Sequence, residues 1–288
     1  MMFVLAKEKT KECEHFFYGQ TEKAKDCREL SHKTPKDYPR SPLRYPGGKS
    51  RAVSAICSYI PENERILCSP FLGGASVELA CTLKMEVKGY DIFGPLVCFW
   101  QELIKNPNQL ADCVARYYPL SRNKFYDLQK HYVSLSNKLE RAAAFYVLNR
   151  SSYSGTTLSG GISPGHPRFT RSSIERLRNF KVNNFEIECT DFRNAIAKNT
   201  DAFLYLDPPY ANRQSLYGLK GDTHRGFDHQ TLADILHQRG RWIMSYNDCQ
   251  LIRELYEDYP ILSIDWSYGM SKNKQSNEIL ILSKDLTF

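Results

Sequence analysis

The sequence predicts an α/β protein built on a mostly parallel sheet, with an antiparallel strand at its C-terminal end. Three observations predict it. Short apolar runs bounded by turn residues alternate with segments of helical spacing from residue 51 onward. A glycine pair follows the first apolar run and an acid closes the second, as at the ligand-binding edge of such sheets. The final runs, "ILSIDWS" and "EILILS", have no helix between them, so one of them returns antiparallel.

The elements follow in order. "RAVSAICSYI" has helical spacing and stops at Pro61. "RILCSP" is a short buried strand feeding "FLGGASVELACTLK", a turn and helix. "VKGYD" is a second strand, ending on Asp91 and followed by the apolar helix "PLVCFWQELI". The middle changes character: "SRNKFYDLQKHYVSLSNKLERAAAFYVLNR" reads as one or two helices. "SSYSGTTLSGGISPGHPRFT" fits no regular element, and a loop of that length is functional or mobile. The alternation resumes with strand "FEIEC" near Asp191, strand "AFLYL" stopping at "DPPY", helix "HQTLADILHQR", strand "RWIMSY" and helix "QLIRELYED". Residues 1–40 are polar and end in a proline-rich stretch, predicting a loosely held extension.

Composition narrows the class. Hydrophobic content of 42% and charged content of 25% are those of a soluble globular protein. No apolar run reaches the ~20 residues of a membrane span, and the N-terminus is charged too early for a signal peptide. Nine cysteines without a C-x-x-C predict free thiols and a cytoplasmic setting. Cys13, His15, Cys27 and His32 have no standard zinc spacing, so no metal is expected. The formal charge is +7, and residues 107–180, with 11 basic and 4 acidic residues, carry an excess of that size by themselves. Such a block is the footprint of a surface that meets phosphates.

"SPLRYPGGKS" invites comparison with a phosphate-binding P-loop, but the first glycine of that motif would have to stand at Leu43. Gly47 and Gly48 instead suggest close approach of backbone to a ligand. Gly73-Gly74 followed by Asp91 at the next strand end is the general recipe for an adenosine-bearing cofactor. It does not distinguish a nicotinamide cofactor from S-adenosylmethionine. Asp207-Pro208-Pro209-Tyr210 does more. The prolines fix the backbone and remove two donors, the Asp207 carboxylate and Pro208 carbonyl accept hydrogen bonds, and Tyr210 offers a ring. Two acceptors and a stacking plate suit a planar exocyclic amine, whose nitrogen can then attack an electrophilic methyl group directly.

On "RYPGGKS", "SPFLGGASVEL", "GYDIF" and "YLDPPY", with "NRSSYSGTT" in the middle, the sequence resembles Dam-type DNA adenine-N6 methyltransferases. The resemblance spans roughly residues 41–283. It implies a Rossmann-like methyltransferase sheet over 41–106 and 181–288, and a mainly helical target-recognition insert over 107–180. It implies S-adenosylmethionine as cofactor, held by Tyr45, Gly47, Gly48, Lys49, Pro70, Phe71, Gly73, Gly74, Ser76, Asp91, Asp191 and Asp207. Lys49 would face the methionine carboxylate. Asp207, Pro208, Pro209 and Tyr210 would hold the target adenine, flipped out of duplex DNA. Ala75 stands where the family often has another glycine.

Arg122, Lys124, Arg150, Arg168 and Arg171 are the candidate DNA contacts, with Lys130, Arg141, Arg176 and Arg178 in the same block. "ANRQSLYGLKGDTHRG" is a candidate loop that closes on DNA. The expected partners are double-stranded DNA and a restriction endonuclease sharing its site; the expected state is a monomer. An RNA adenine or cytosine N4 poses the same chemistry, although Asp at 207 leans toward adenine. A non-catalytic DNA-binding module is the rival from another class.

Overall fold

The computed structural model describes residues 38–163, 168–211, 226–263 and 278–286. The cysteine and histidine set in the leader, residues 212–225 of the proposed closing loop, and the end of "ILSIDWS" lie outside them.

Seven strands form one sheet in the order β3-β2-β1-β4-β5-β7-β6. They are β1 (Ile66–Ser69), β2 (Glu86–Asp91), β3 (Phe185–Cys189), β4 (Phe203–Leu206), β5 (Trp242–Asn247), β6 (Ile261–Ser263) and β7 (Glu278–Leu282). The first five are parallel neighbours, and β7 runs antiparallel to both β5 and β6. Every residue of β4 and β7 is buried, which is why Phe203–Leu206 and Ile279–Leu282 read as unbroken apolar runs rather than alternating ones.

The helices are α1 (Val53–Cys57), α2 (Ser76–Cys81), α3 (Gly94–Lys105), α4 (Pro107–Ala115), α5 (Arg122–His131), α6 (Lys138–Ser151), α7 (Arg171–Arg178), α8 (Phe192–Lys198), α9 (His229–His237) and α10 (Gln250–Leu255). The long middle segment is two helices, as its length allows. Side chains set their starts: Asn137 accepts from the Glu140 amide at 3.1 Å to cap α6, and Ser121 caps α5. Thr170 and Ser173 reciprocally cap α7, and Asp191 and Asp228 cap α8 and α9. Helices α4, α7 and α8 have no counterpart among the predicted elements.

α3 packs along α6, α4 packs beside α6, and α7 packs on α4. The core formed there is continuous with one sheet face, joining Phe99, Trp100, Phe145 and Tyr146 to Leu67, Val87 and Phe203. The other face carries Leu204, Leu206, Trp242 and Met244 against α8, α9 and α10. Among the described residues no helix is long and apolar enough to cross a membrane. No three His, Cys, Asp or Glu side chains there are grouped to hold a metal. The described cysteines are free thiols.

The chain runs outward from β1 to β3 on one side and from β4 on the other. Sheet order therefore reverses between β1 and β4, and a crevice opens beyond their carboxyl ends.

Candidate active site

That crevice is lined by residues 45–49, 70–78, 91–92, 190–193, 205 and 207–210, with 226–228 at its rim. All the residues expected at the cofactor and tetrapeptide positions fall on it.

The glycine turn after β1 is a fitted cradle. Gly73 has φ +47°, and a Cβ there would lie 2.9 Å from the Tyr45 ring. One at Gly74 would come within 2.9 Å of the Tyr45 Cβ. Both glycines are needed for the two segments to touch, because real Cβ atoms do not approach that closely. Ala75 continues the turn at φ +51°, in the left-handed region. An alanine there carries a strain of about 1 kcal/mol that glycine would not. Trp100 Nε1 donates to the Gly73 carbonyl at 3.1 Å, anchoring the turn to α3.

Asp91 closes β2. Its carboxylate accepts from the Gly73 amide at 3.1 Å and the Phe93 amide at 2.9 Å. Burial pushes its pKa up to about 6 despite those bonds. Across the crevice, Asp191 caps α8 and pairs with Arg193. Beside it Phe71, Phe192 and Phe227 form an aromatic cluster with centroids 5.4–5.6 Å apart.

The tetrapeptide lies past the end of β4, without regular backbone pairing, and side chains hold it. Lys49 is 4% exposed, and its ammonium reaches Asp207 Oδ1 at 2.7 Å and Oδ2 at 2.8 Å. The same Nζ donates to the Tyr210 hydroxyl at 2.8 Å and the Gly47 carbonyl at 3.0 Å. Ser245 Oγ donates to Asp207 Oδ1 at 3.1 Å. Tyr246 donates to the Pro209 carbonyl at 2.7 Å, with His229 Nδ1 also 2.7 Å from its hydroxyl. Lys49 therefore joins the first motif of the chain to the tetrapeptide 158 residues later. Burial raises the Asp207 pKa, and the Lys49 charge opposes that rise.

Glu78, on α2 at the crevice wall, is a buried carboxyl. Ser69 Oγ donates to it at 2.6 Å. Desolvation pushes its pKa up to about 7, with smaller opposing effects from hydrogen bonds. A carboxyl whose folded pKa exceeds its unfolded one binds its proton more tightly in the fold. The penalty for ionising it is absent below pH ~4.5 and complete above ~7, where it amounts to as much as about 3 kcal/mol. Glu78→Gln is therefore expected to melt higher than the parent at pH 8.5 and at about the parent temperature near pH 4.5. Thermal melts across that range check the sign.

The candidate DNA contacts do not line the crevice. Arg122 and Lys124 are exposed on α5, the former 5.6 Å from the Tyr126 ring centroid. Arg168 and Arg171 are exposed near α7, with Arg171 5.9 Å from the Tyr118 ring centroid. Arg150 is engaged within the protein. Its Nε and Nη2 donate to the Arg168 carbonyl at 3.1 and 2.8 Å, and its Nη1 to that of Pro42 at 3.4 Å.

Two residues at or near the site make contacts that the sequence does not announce, although Asn149 opens the segment "NRSSYSGTT". Asn149, fully buried on α6, accepts from the Arg44 amide at 2.9 Å and donates to the Arg44 carbonyl at 2.8 Å. It thereby ties the irregular middle segment to the backbone leading into Tyr45. Glu278 accepts from the Tyr210 hydroxyl at 2.9 Å. Its only advance signal is topological: an acid opening an antiparallel apolar strand falls at the crevice edge.

A family model described as D12 class N6 adenine-specific DNA methyltransferase matches residues 45–270. The DNA N-6-adenine-methyltransferase of Escherichia phage P1 is 26% identical over 257 residues. That match covers 81% of this chain but 33% of the phage protein, so the chain spans about a third of that relative. The DNA adenine methylase of Vibrio cholerae serotype O1 is 25% identical over 254 residues, covering 81% of this chain and 91% of that protein. A Type II methyltransferase of Lactococcus lactis subsp. cremoris is 24% identical over 245 residues, covering 77% and 86%.

Proposed function

The chain belongs to the D12 class of N6 adenine-specific DNA methyltransferases, and we propose that its crevice serves transfer of a methyl group from S-adenosylmethionine to an adenine turned out of duplex DNA. The observation that carries the proposal is the convergence of Lys49, Asp207 and Tyr210 beside the Gly73–Gly74 cradle. The crevice suits the cofactor: a glycine cradle for close backbone approach, Asp91 for ribose hydroxyls, and Asp191 beside Phe192 for the adenine end. The cofactor supplies an activated methyl on a sulfonium.

The rest falls to the protein. Asp207 and the Pro208 carbonyl accept the two N–H bonds of the target amine, which favours a tetrahedral nitrogen and steadies its developing positive charge. Tyr210 stacks on the base. Lys49 holds Asp207 so that the carboxylate is aimed before the base arrives. Removing the base from the stack costs a few kcal/mol, which contacts from the 107–180 insert through Arg122, Lys124, Arg168 and Arg171 would offset. Family membership and Asp at 207 favour a DNA adenine over an RNA adenine or cytosine N4. The relatives' Type II designation makes an endonuclease of the same site a candidate partner.

Incubation with S-adenosylmethionine labelled in the methyl group, and with either unmethylated genomic DNA or total RNA, tests the reading. N6-methyldeoxyadenosine should appear after nucleoside digestion of the DNA. Label found solely in RNA, or solely as N4-methylcytosine, overturns it.

A further inference from the structure

We propose that Glu278 is a positioning residue, which fixes the Tyr210 ring for the target base. The inference rests on the proposed function and concerns a residue outside the 45–270 segment matched by the family model.

Glu278 opens β7 and pairs in register with Asn247. Because β7 runs against the other strands, its first residue arrives where β4 and β5 deliver their carboxyl ends. The side chain is 7% exposed, and a carboxylate at that depth needs strong partners to offset desolvation. One such partner is the Tyr210 hydroxyl at 2.9 Å.

That hydroxyl accepts a hydrogen bond from the Lys49 ammonium at 2.8 Å. A phenol that accepts from one side must point its own O–H elsewhere, and it donates to Glu278 Oε1. Tyr210 is thus held between a cation and an anion, each bond charge-assisted. The tetrapeptide has no sheet ladder to fix it, so these anchors set the plane of the ring. Asp207, Lys49, Tyr210 and Glu278 form one chain of bonds, in which the second carboxylate also opposes ionisation of the first.

The test is a double-mutant cycle with Glu278→Ala, Tyr210→Phe and the double variant, together with Glu278→Gln. Methyl transfer to unmethylated genomic DNA, calorimetric binding of S-adenosylmethionine, and melting temperature are measured for each. Tyr210→Phe keeps a ring but removes its anchor, so both single variants should lose roughly tenfold or more in kcat. The double variant should lose little beyond either one. Cofactor Kd should stay within about twofold, and Glu278→Gln, which retains an acceptor, should recover most of the turnover.

Multiplying losses in the double variant, a glutamine as poor as the alanine, or a parallel loss of cofactor binding would each overturn the assignment. If the parent protein modifies no DNA, the proposed function fails by itself. The coupling in melting temperature between positions 210 and 278 then still decides whether Glu278 anchors the ring, and independent effects there sink the inference.

Discussion

Asp207→Asn is expected to leave a folded protein that binds S-adenosylmethionine but transfers methyl groups roughly 10³-fold more slowly, the scale of losing one preorganised electrostatic partner in a transition state. The reason is the sign of the dipole. The carboxylate presents acceptors alone, whereas an asparagine that keeps its oxygen toward Lys49 turns an NH₂ group toward an amine that also needs to donate. The developing positive charge on the substrate nitrogen then meets a donor. Single-turnover rates with excess protein isolate this step from product release, and a calorimetric cofactor titration shows whether the pocket survives. An asparagine variant with unchanged transfer would refute direct acceptance by Asp207.

Asp207→Ala should be worse for a separate reason. It removes the partner of a lysine that is 4% exposed, stranding an ammonium whose remaining contacts are neutral or shared. Breaking a buried ion pair from one side costs about 3–5 kcal/mol. The 23% side-chain exposure of Asp207 moderates that figure, because water reaches one side of the pair. A melting temperature clearly lower in Ala than in Asn separates the structural use of the pair from its chemical one.

What the sequence made legible here is what is local. The turn after "RILCSP", the acid ending "VKGYD" and the rigid "DPPY" each depend on contiguous residues whose backbone preferences and polarity speak for themselves. The parallel core with its antiparallel return follows from sequence segments of helical spacing that lie between most predicted strands and not between the last two. Helices α4 and α8 were harder to read because "PNQLADCVA" and "FRNAIAK" are short and mix small, polar and apolar residues, so their faces appear only against the sheet and α3. Glu78 and Asn149 stand within quoted motifs, but their contacts, like those of Glu278, were illegible for a different reason. Nothing near residue 149 tells that it will meet residue 44, and a glutamate before an apolar strand looks like a solvated end until topology carries it to Tyr210. Ala75, which stands where the family often has glycine, sits at φ +51°, where the missing backbone freedom matters more than the added volume.

Gly155→Ala should be among the most damaging substitutions away from the chemistry. Gly155 has φ +77°, and a Cβ on it would lie 2.1 Å from the Arg44 carbonyl oxygen and 2.8 Å from its carbon. No rotamer relieves a clash with backbone, so either the 153–157 turn or the 41–48 segment must move. The latter is pinned at Arg44 by both polar atoms of the Asn149 side chain, which also donates to the Gly155 carbonyl and the Thr157 hydroxyl. Displacing Arg44 carries Tyr45 off the Gly73–Gly74 cradle and draws Lys49 from Asp207, so stability and cofactor binding should fall together. A loss of about 3 kcal/mol or more is expected from strain and the buried bonds broken. Gly226→Ala is the control: its φ is +78°, yet among the described residues nothing lies within 4 Å of the added Cβ. It should lose about 1 kcal/mol from backbone strain alone. Denaturant titration of the two variants checks the difference, and equal losses would mean that the contact between the middle segment and Arg44 does not hold the crevice in shape.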